Sequence, residues 1–543
     1  MAGIADFLDS LIGGFDLICY SLLMGGLFWG LFVLKPWQQD KNYNIELLQK
    51  TISLIYKGGF LLAVAQFFKI ILKVWLMTAL LERWPFPEFA ETTQFTGGII
   101  RTFFSVVIAA YVYGILRDNA FSQKHWWLAL VVSLPLVVSG AWLVHAAGRF
   151  DNRALLMTLT VFHQLGAAAW VGGVFQLVNV WTLHKRQLIS TDNWPFLLRD
   201  FSKFGMISVG FILVTGLPIA LQYIDSWDGL VGTGYGNLLM VKVVLLGLAL
   251  GLAWLNRSAM LAFFNTRQTL ALFGRVPHYV EAETLVLVIL LFTAASLASQ
   301  PPAIDIPSLT ASWQEVVNTF APQIPQTTSP SHVALIAGEA GRVAIIDQVP
   351  SLAATEWSNY NHNIAGIFLT VMSFFAMLSY SNKLPFTKYW PLGFVGLGIF
   401  LFFRSDAETW PLGPIGFWES TFNNGEVLQH RIATLLVLVL GLFELTARIT
   451  KNPHSKLPFV FPILAGFGGL MLLTHSHVGF QAKSAFLIQV GHTTMGIFAL
   501  ILSCGRWLEL KLDKPGKDIA GFTSVAALFL IGIILMFYRE PLY

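Results

Sequence analysis

Histidine and methionine residues stand in this sequence at spacings that can bind a metal ion. His475 and His477 flank a single residue, so an extended backbone can turn both imidazoles toward one ion. His492 and Met495 are three residues apart, and a helix places such residues on one face. Imidazole combined with thioether is a soft ligand set, which suits Cu(I) better than Mg²⁺ or Ca²⁺.

A carboxylate accompanies a third histidine motif. Glu426 and His430 form an i, i+4 pair, in which the carboxylate is either a further ligand or the group that orients the imidazole.

Each of these histidine and methionine residues also has a structural alternative. A histidine at a membrane boundary can be a packing residue, and a methionine at helical spacing commonly fills a core.

The elements that must position these residues are membrane helices. The chain is 55% hydrophobic and only 12% charged, whereas a soluble domain carries about 25% charged residues. The apolar residues come in blocks of about twenty, the helix length that crosses a hydrocarbon core of roughly 30 Å. Because lipid cannot satisfy backbone amides, the sequence predicts an all-α, polytopic transmembrane helix bundle.

About fourteen spans are predicted. They start near Gly13, Ile55, Gly98, Trp126, Leu155, Phe204, Leu238, Thr284, Tyr360, Tyr389, Val427, Phe459, Ser484 and Phe522. Basic residues follow alternate spans, as in Lys35 after the first and Arg117 after the third. Since basic loops stay on the inner side, we expect both termini to lie outside.

This topology divides the twelve histidines into two groups. Four fall near inner loops and His332 falls in an outer loop, whereas seven are predicted toward the outer side: His145, His163, His362, His430, His475, His477 and His492. A rise of about 1.5 Å per residue puts His163 and His492 each about 12 Å below the start of its helix. Intramembrane histidines are functional candidates. We therefore expect metal ligands among these seven and Met495.

Three stretches are predicted along the chain. Residues 1–300 form an N-terminal eight-span bundle, 301–357 an outer polar loop or linker, and 358–543 a C-terminal six-span bundle. Within the loop, the alternating run from His332 to Ile346 can form a small hairpin, although a semi-ordered linker is the simpler interpretation.

Other chemistry leaves few signals. The two cysteines, Cys19 and Cys504, exclude a disulfide scaffold. We find no phosphate-binding loop and expect no enzyme. A polar stripe in the second span carries Gln66, Lys69 and Lys73, and its lysines are expected to pair with an acid, hold an anion or snorkel to the boundary.

Several motifs resemble one family. The segment 163–173 begins with His163, ends with Trp170-Val171-Gly172-Gly173, and resembles the signature of the copper-resistance protein D family of bacterial inner membranes. The second part resembles the extended members of that family, through Arg404-Ser405-Asp406, Trp410-Pro411-Leu412-Gly413, Phe417-Trp418-Glu419, Glu426-Val427-Leu428-Gln429-His430-Arg431, Thr474-His475-Ser476-His477 and Arg506-Trp507-Leu508-Glu509-Leu510.

The resemblance implies copper handling at the outer face of a multi-pass inner-membrane protein, with import from the periplasm toward the cytoplasm. It implies copper, the lipid bilayer and a periplasmic copper-binding protein as partners, and no nucleic acid. Its ligands would be the histidines of the matched motifs, with His145 outside the strongest match. In the mechanism we expect, outer histidines capture the ion, and His163 and His492, with Met495, receive it.

Two alternatives remain open from the sequence. A membrane b-type cytochrome needs two histidines at equal depth on facing helices, and His163 with His492, or His430 with His362, can supply them. A copper-binding or copper-sensing subunit without transport is the other alternative, with a partner capturing the ion at the long outer loop.

Overall fold

A computed structural model describes residues 2–34, 45–118, 123–189, 193–339, 351–381, 383–450, 454–474 and 482–541. These ranges contain no β-strand. Fourteen of their helices are long and apolar enough to cross a membrane, which confirms the predicted fold class and number of spans. In chain order they are α1 (Phe7–Leu34), α2 (Ile45–Ala79), α3 (Thr93–Arg117), α4 (Lys124–Leu143), α5 (Arg153–Lys185), α6 (Asn193–Tyr223), α7 (Gly234–Thr266), α8 (Val276–Leu297), α9 (Leu352–Ser379), α10 (Pro385–Arg404), α11 (Gly425–Thr450), α12 (Leu457–Thr474), α13 (Lys483–Lys511) and α14 (Gly516–Met536).

Several of these helices are longer than a bilayer requires. α2 has 35 residues and α5 has 33, so each is about 50 Å long, against a hydrocarbon core of roughly 30 Å. The excess length explains why helices begin before the predicted apolar blocks, as α2 does at Ile45 rather than near Ile55. Hydropathy marks the part of a helix in lipid, whereas hydrogen bonding continues into the interface.

The chain forms two compact units. The N-terminal unit comprises residues 8–223 and 245–299, and the C-terminal unit comprises residues 1–7, 224–244 and 300–543. The C-terminal unit thus includes a stretch from the first 300 residues. The three-part division drawn from the sequence stays a prediction.

Close packing of α1 against α5 shapes the N-terminal unit. A Cβ on Gly25 would lie 2.1 Å from the Ala168 carbonyl oxygen, and one on Gly172 would lie 2.1 Å from the Ser21 carbonyl oxygen. Only glycine permits this backbone contact. Part of the predicted Trp-Gly-Gly signature is therefore a packing requirement of the helix crossing.

In the C-terminal unit, α9, α13 and α14 pack around one apolar cluster. Leu369, Met372 and Met495 lie in it with Ala499 and Leu528. The chain continues past α14 as a short segment, residues 537–541, hereafter the C-terminal segment. Asn363 of α9 is fully buried and donates to the Tyr538 carbonyl oxygen at 2.9 Å, while Asn359 accepts from the Glu540 amide at 2.7 Å. These bonds hold the C-terminal segment against α9.

The long polar stretch contains helices rather than the hairpin considered above. Trp313–Thr319 is a helix with a capping box formed by Ser312 and Glu315. His332–Glu339 is also helical, so the hairpin is wrong for these residues; residues 340–346 lie outside the described part of the chain. Ser331 accepts a hydrogen bond from the Ala334 amide, as a helix N-cap does. The helix buries Leu335 against Trp357 and Ala407. This contact favours a helix with one apolar face over a strand in which apolar and polar residues alternate.

Candidate metal-binding site

Two of the predicted histidines meet in the C-terminal unit. His362 on α9 and His492 on α13 have ring centroids 5.8 Å apart, with their planes at 85°. The Tyr538 ring, from the C-terminal segment, lies 4.1 Å from the His362 ring and 6.1 Å from the His492 ring. Sequence separations of 130 and 46 residues do not suggest this three-ring cluster. It depends on the packing of α9 and of α13 against α14, and on the anchored C-terminal segment.

Backbone hydrogen bonds fix the tautomer of both imidazoles. His362 Nδ1 lies 2.9 Å from the Ser358 carbonyl oxygen, and His492 Nδ1 lies 2.9 Å from the Ile488 carbonyl oxygen. A carbonyl oxygen only accepts, so each Nδ1 carries the hydrogen. The lone pair of each neutral ring is then on Nε2, the atom that can bind a metal.

The separation of the two rings is suited to one shared ion. First-row metal ions bind imidazole nitrogen at about 2.0 Å, which places the centroids of two rings roughly 6 Å apart when both bind one ion in a nearly linear arrangement. The observed 5.8 Å is close to that value. Copper accepts imidazole ligands, and Cu(I) tolerates low coordination numbers.

A carboxylate is linked to the pair through one serine hydroxyl. The Ser358 hydroxyl donates to Glu540 Oε1 at 2.5 Å, and the same hydroxyl oxygen is 3.2 Å from His362 Nδ1. Negative charge beside a ligand histidine raises its basicity and favours a bound cation. Tyr538 and Glu540 were not among the predicted site residues. Their only sequence signal was a polar, charged end after the last apolar block.

His430 has a different partner. Its Nδ1 donates to Asp406 Oδ1 at 2.8 Å. Burial acts to raise the pKa of Asp406, but the charge of His430 and this hydrogen bond outweigh burial and hold the pKa below its usual range. The adjacent Arg431 lies over the Phe417 ring at 3.8 Å and donates to Ser420 Oγ at 3.0 Å. These contacts hold the segment between α10 and α11 against α11.

The remaining predicted ligands lie in other surroundings. In the N-terminal unit, His163 Nδ1 is 3.1 Å from the Ile212 carbonyl oxygen and 3.2 Å from Thr215 Oγ1, so it bridges α5 and α6. His145 follows α4 in a 3₁₀ turn, with its ring 6.3 Å from the Tyr223 ring. Met495 is buried in the apolar cluster of the C-terminal unit. For all three, metal binding stays a prediction.

His475 and His477 lie outside the described residues. Within the described ranges, no group of three or more His, Cys, Asp or Glu residues is arranged to hold a metal ion. A pair is therefore the largest histidine arrangement found there.

Another matched motif is part of a buried ionic network. Arg506 of α13 lies 2.8 Å from Glu444 and 2.7 Å from Glu509, and Arg448 lies 2.7 Å from the same Glu444 oxygen. Tyr380 donates to Glu509 at 2.8 Å. Charges buried this deeply persist when they are paired and hydrogen-bonded. The network links α11 with α13, which explains Arg506 and Glu509 without a ligand.

Polar residues missed from the sequence lie inside the N-terminal unit. Arg101 Nη2 lies 3.2 Å from Asp16 Oδ2, and Gln66 donates to the other Asp16 oxygen. Gln66 of the predicted stripe thus has an acid partner. Elsewhere in the unit, Glu283 accepts from Trp170 and Asn256. For Asp16, Arg101 and Glu283, the signal available in the sequence was an isolated charge within an apolar block.

Comparison with known proteins is consistent with the predicted family. Residues 196–297 match the family described as copper resistance protein D, which confirms the resemblance. The chain is 30% identical over 221 residues to the copper transport protein CutJ of Bacillus subtilis (strain 168). That match covers 40% of this chain and 39% of the length of CutJ. No solved structure matches. With its fourteen apolar helices, the chain is a multi-pass bacterial membrane protein that is similar to proteins named for copper resistance and copper transport.

Proposed function

We propose that the C-terminal unit captures copper between His362 and His492 at the outer face, and that the protein imports the ion toward the cytoplasm. One observation carries the proposal: two imidazoles lie 5.8 Å apart, with the lone pair of each on Nε2. The similarity to a protein named for copper transport supports copper as the cargo.

The charge near the pair supports cation capture. The Ser358 hydroxyl donates to Glu540 and also lies beside His362 Nδ1, so the negative charge of Glu540 acts on the His362 imidazole through this hydroxyl. When copper binds the two Nε2 atoms, each Nδ1 keeps its hydrogen and continues to donate it to the carbonyl oxygen, so neither ring has to change its tautomer. Inward movement of a cation is favoured by a membrane potential that is negative inside, by about 2.3 kcal/mol per charge per 100 mV.

The later steps depend on residues beyond this pair. The sequence predicts His163 and His492, with Met495, as the deeper residues that receive the ion; with His492 in the capture pair, His163 is left for the later step, and a periplasmic copper-binding protein is the predicted donor. Exchange between sites of two and three ligands would avoid a bare ion at any step. His475 and His477 remain predicted ligands on the entry side.

The ring of Tyr538 disfavours haem b between the same two imidazoles. A haem would place its porphyrin plane between the axial ligands, and this plane extends well beyond each imidazole on all sides. The Tyr538 ring lies close to both histidines, beside the gap between them. The visible spectrum of the purified protein distinguishes the cases, because a haem protein shows a Soret band that shifts on reduction.

The function is tested by copper uptake into vesicles that contain the full-length protein. His362→Gln combined with His492→Gln should abolish saturable uptake and the copper retained after purification. His332→Gln is the matched control, because His332 belongs to the same unit but bonds the Ala407 carbonyl oxygen at 2.8 Å instead. Unchanged uptake in the double variant would contradict the capture site. Vesicles that bind copper but never accumulate it would contradict import and favour a sensing subunit.

A further inference from the structure

A buried carboxyl group in the N-terminal unit has no cationic partner among the residues that the structure describes. Glu283 of α8 is 3% exposed. Trp170 Nε1 of α5 donates to its Oε1 at 3.1 Å, and Asn256 Nδ2 of α7 donates to its Oε2 at 2.9 Å. Both donors are neutral, and both are also buried. Among the described residues, no Lys, Arg or His lies within ion-pair distance of Glu283.

Asp16 shows the contrasting arrangement in the same unit. It is also buried, but Arg101 lies 3.2 Å from its Oδ2 and neutralises the carboxylate. A carboxylate without such a cation is costly inside the membrane, because neutral hydrogen bonds only partly replace its hydration. The cost disappears when the group takes up a proton.

The Asn256 side chain can form a hydrogen bond with Glu283 whether Glu283 is charged or protonated. Its Nδ2 donates to the carboxylate, while its Oδ1 is buried and without a hydrogen-bond partner in the described part of the chain. A half-turn of the amide brings Oδ1 to the position of Nδ2. There it accepts the O–H of a protonated carboxyl, as an amide oxygen can. Trp170 remains a donor to the other carboxyl oxygen in both states.

The charged groups next to Asn256 and Glu283 in the sequence have other partners. On α7, Arg257 donates to Ser202 Oγ at 3.0 Å. On α8, Glu281 lies 3.2 Å from His278, one turn closer to the start of the helix. α5 contributes the neutral Trp170 at this level. The protonation of Glu283 is therefore governed by its burial and its two neutral donors.

We propose that Glu283 is a proton-binding site within the membrane part of the N-terminal unit. The carboxylate takes a proton from hydronium onto Oε2, which leaves water, and the new O–H donates to Asn256 Oδ1. On release the proton returns to water, and Asn256 Nδ2 again donates to the carboxylate. Asn256 and Glu283 both lie within residues 196–297, the matched family segment. The inference does not depend on the copper site of the C-terminal unit.

Infrared spectroscopy of the full-length protein in vesicles tests this site. At neutral pH we expect the carbonyl stretch of a protonated carboxyl, lost in Glu283→Gln and retained in the matched control Glu281→Gln. Transfer to D₂O should shift the band, since the proton exchanges with water. Asn256→Leu should move the band toward the frequency of a carboxyl without an acceptor.

If Glu283→Gln does not fold, Glu283→Asp is the second variant that tests the site. Glu283→Asp should retain a protonated carboxyl band at a displaced frequency. The absence of any such band from mildly acidic to mildly alkaline pH would overturn the proposal. So would a band that persists in folded Glu283→Gln, or one that does not respond to D₂O.

Discussion

The His362–His492 pair and the His430–Asp406 pair lie in the same unit, and each contains a histidine on a membrane helix. His430 donates Nδ1 to a carboxylate, whereas His362 Nδ1 faces a backbone carbonyl oxygen and its ring faces a second imidazole. A carboxylate bonded to Nδ1 also occurs on metal-bound histidines, so it does not by itself separate the two pairs. The difference that favours His362 as a ligand is the second imidazole that faces its ring.

The largest expected difference between the two pairs is in copper affinity. His362→Ala removes a ligand, so affinity should fall on the order of 100-fold, whereas His430→Ala should change it by less than about 2-fold. Competition with a calibrated Cu(I) chelator measures both. Equal losses in the two variants would show that the pairs act as one site.

A smaller loss is expected when the charge behind His362 is removed. Glu540→Gln leaves both imidazoles in place but neutralises the acceptor of the Ser358 hydroxyl, and copper affinity should fall about 10-fold. Asp518→Asn, a change at an exposed acid on α14, is the control and should have no effect. An unchanged affinity in Glu540→Gln would leave the carboxylate without a role in binding.

The His430–Asp406 pair should affect stability rather than copper. Asp406→Asn removes this ion pair and should reduce the free energy of unfolding at neutral pH. The loss should be only about 1–2 kcal/mol, because the pair is partly exposed and solvent weakens it. Folding lowers the pKa of Asp406 from 3.8, so the pair stabilises the protein above that pH and the contribution is lost as pH falls through the lowered pKa.

Thermal unfolding across the acid range measures this contribution. Asp406→Asn should flatten the acid-side loss of stability and leave copper affinity intact. A variant that loses copper instead would place Asp406 in the metal site.

The smallest effect is expected at the start of α13, the helix that carries His492. Lys483 lies 2.6 Å from Glu315, and both side chains are about 40% exposed. The hydrogen bond from Lys483 lowers the pKa of Glu315 from 4.5 to about 2, so this pair stabilises above pH 4.5 and loses its effect as pH falls toward 2. Glu315→Gln should cost at most about 0.5 kcal/mol and leave copper affinity unchanged; chemical denaturation at neutral pH checks this.

The helices were predictable because hydropathy is a local property. Each of the fourteen predicted spans corresponds to a helix in the structure, although the ends differ where helices extend beyond the apolar block. The helix His332–Glu339 was not predicted. Alternation over a few residues does not distinguish a strand from a short helix that buries a single residue such as Leu335.

The site was only partly predictable, because pairing across helices depends on tertiary packing. The sequence predicted His362 and His492 as ligands but could not pair them, and it gave no sign that Met495 is buried in an apolar cluster. Tyr538 reaches the pair only because Asn363 anchors the C-terminal segment. The ionic partners of Asp16 and Arg506 likewise come from other helices.

X-ray absorption at the copper edge tests the central claim most directly, using the copper-loaded full-length protein. The account predicts imidazole scattering from the copper ligands, lost together with the bound metal when His362 and His492 are both replaced by Gln. A spectrum dominated by sulfur ligands, or an imidazole signal that survives the double replacement, would contradict it.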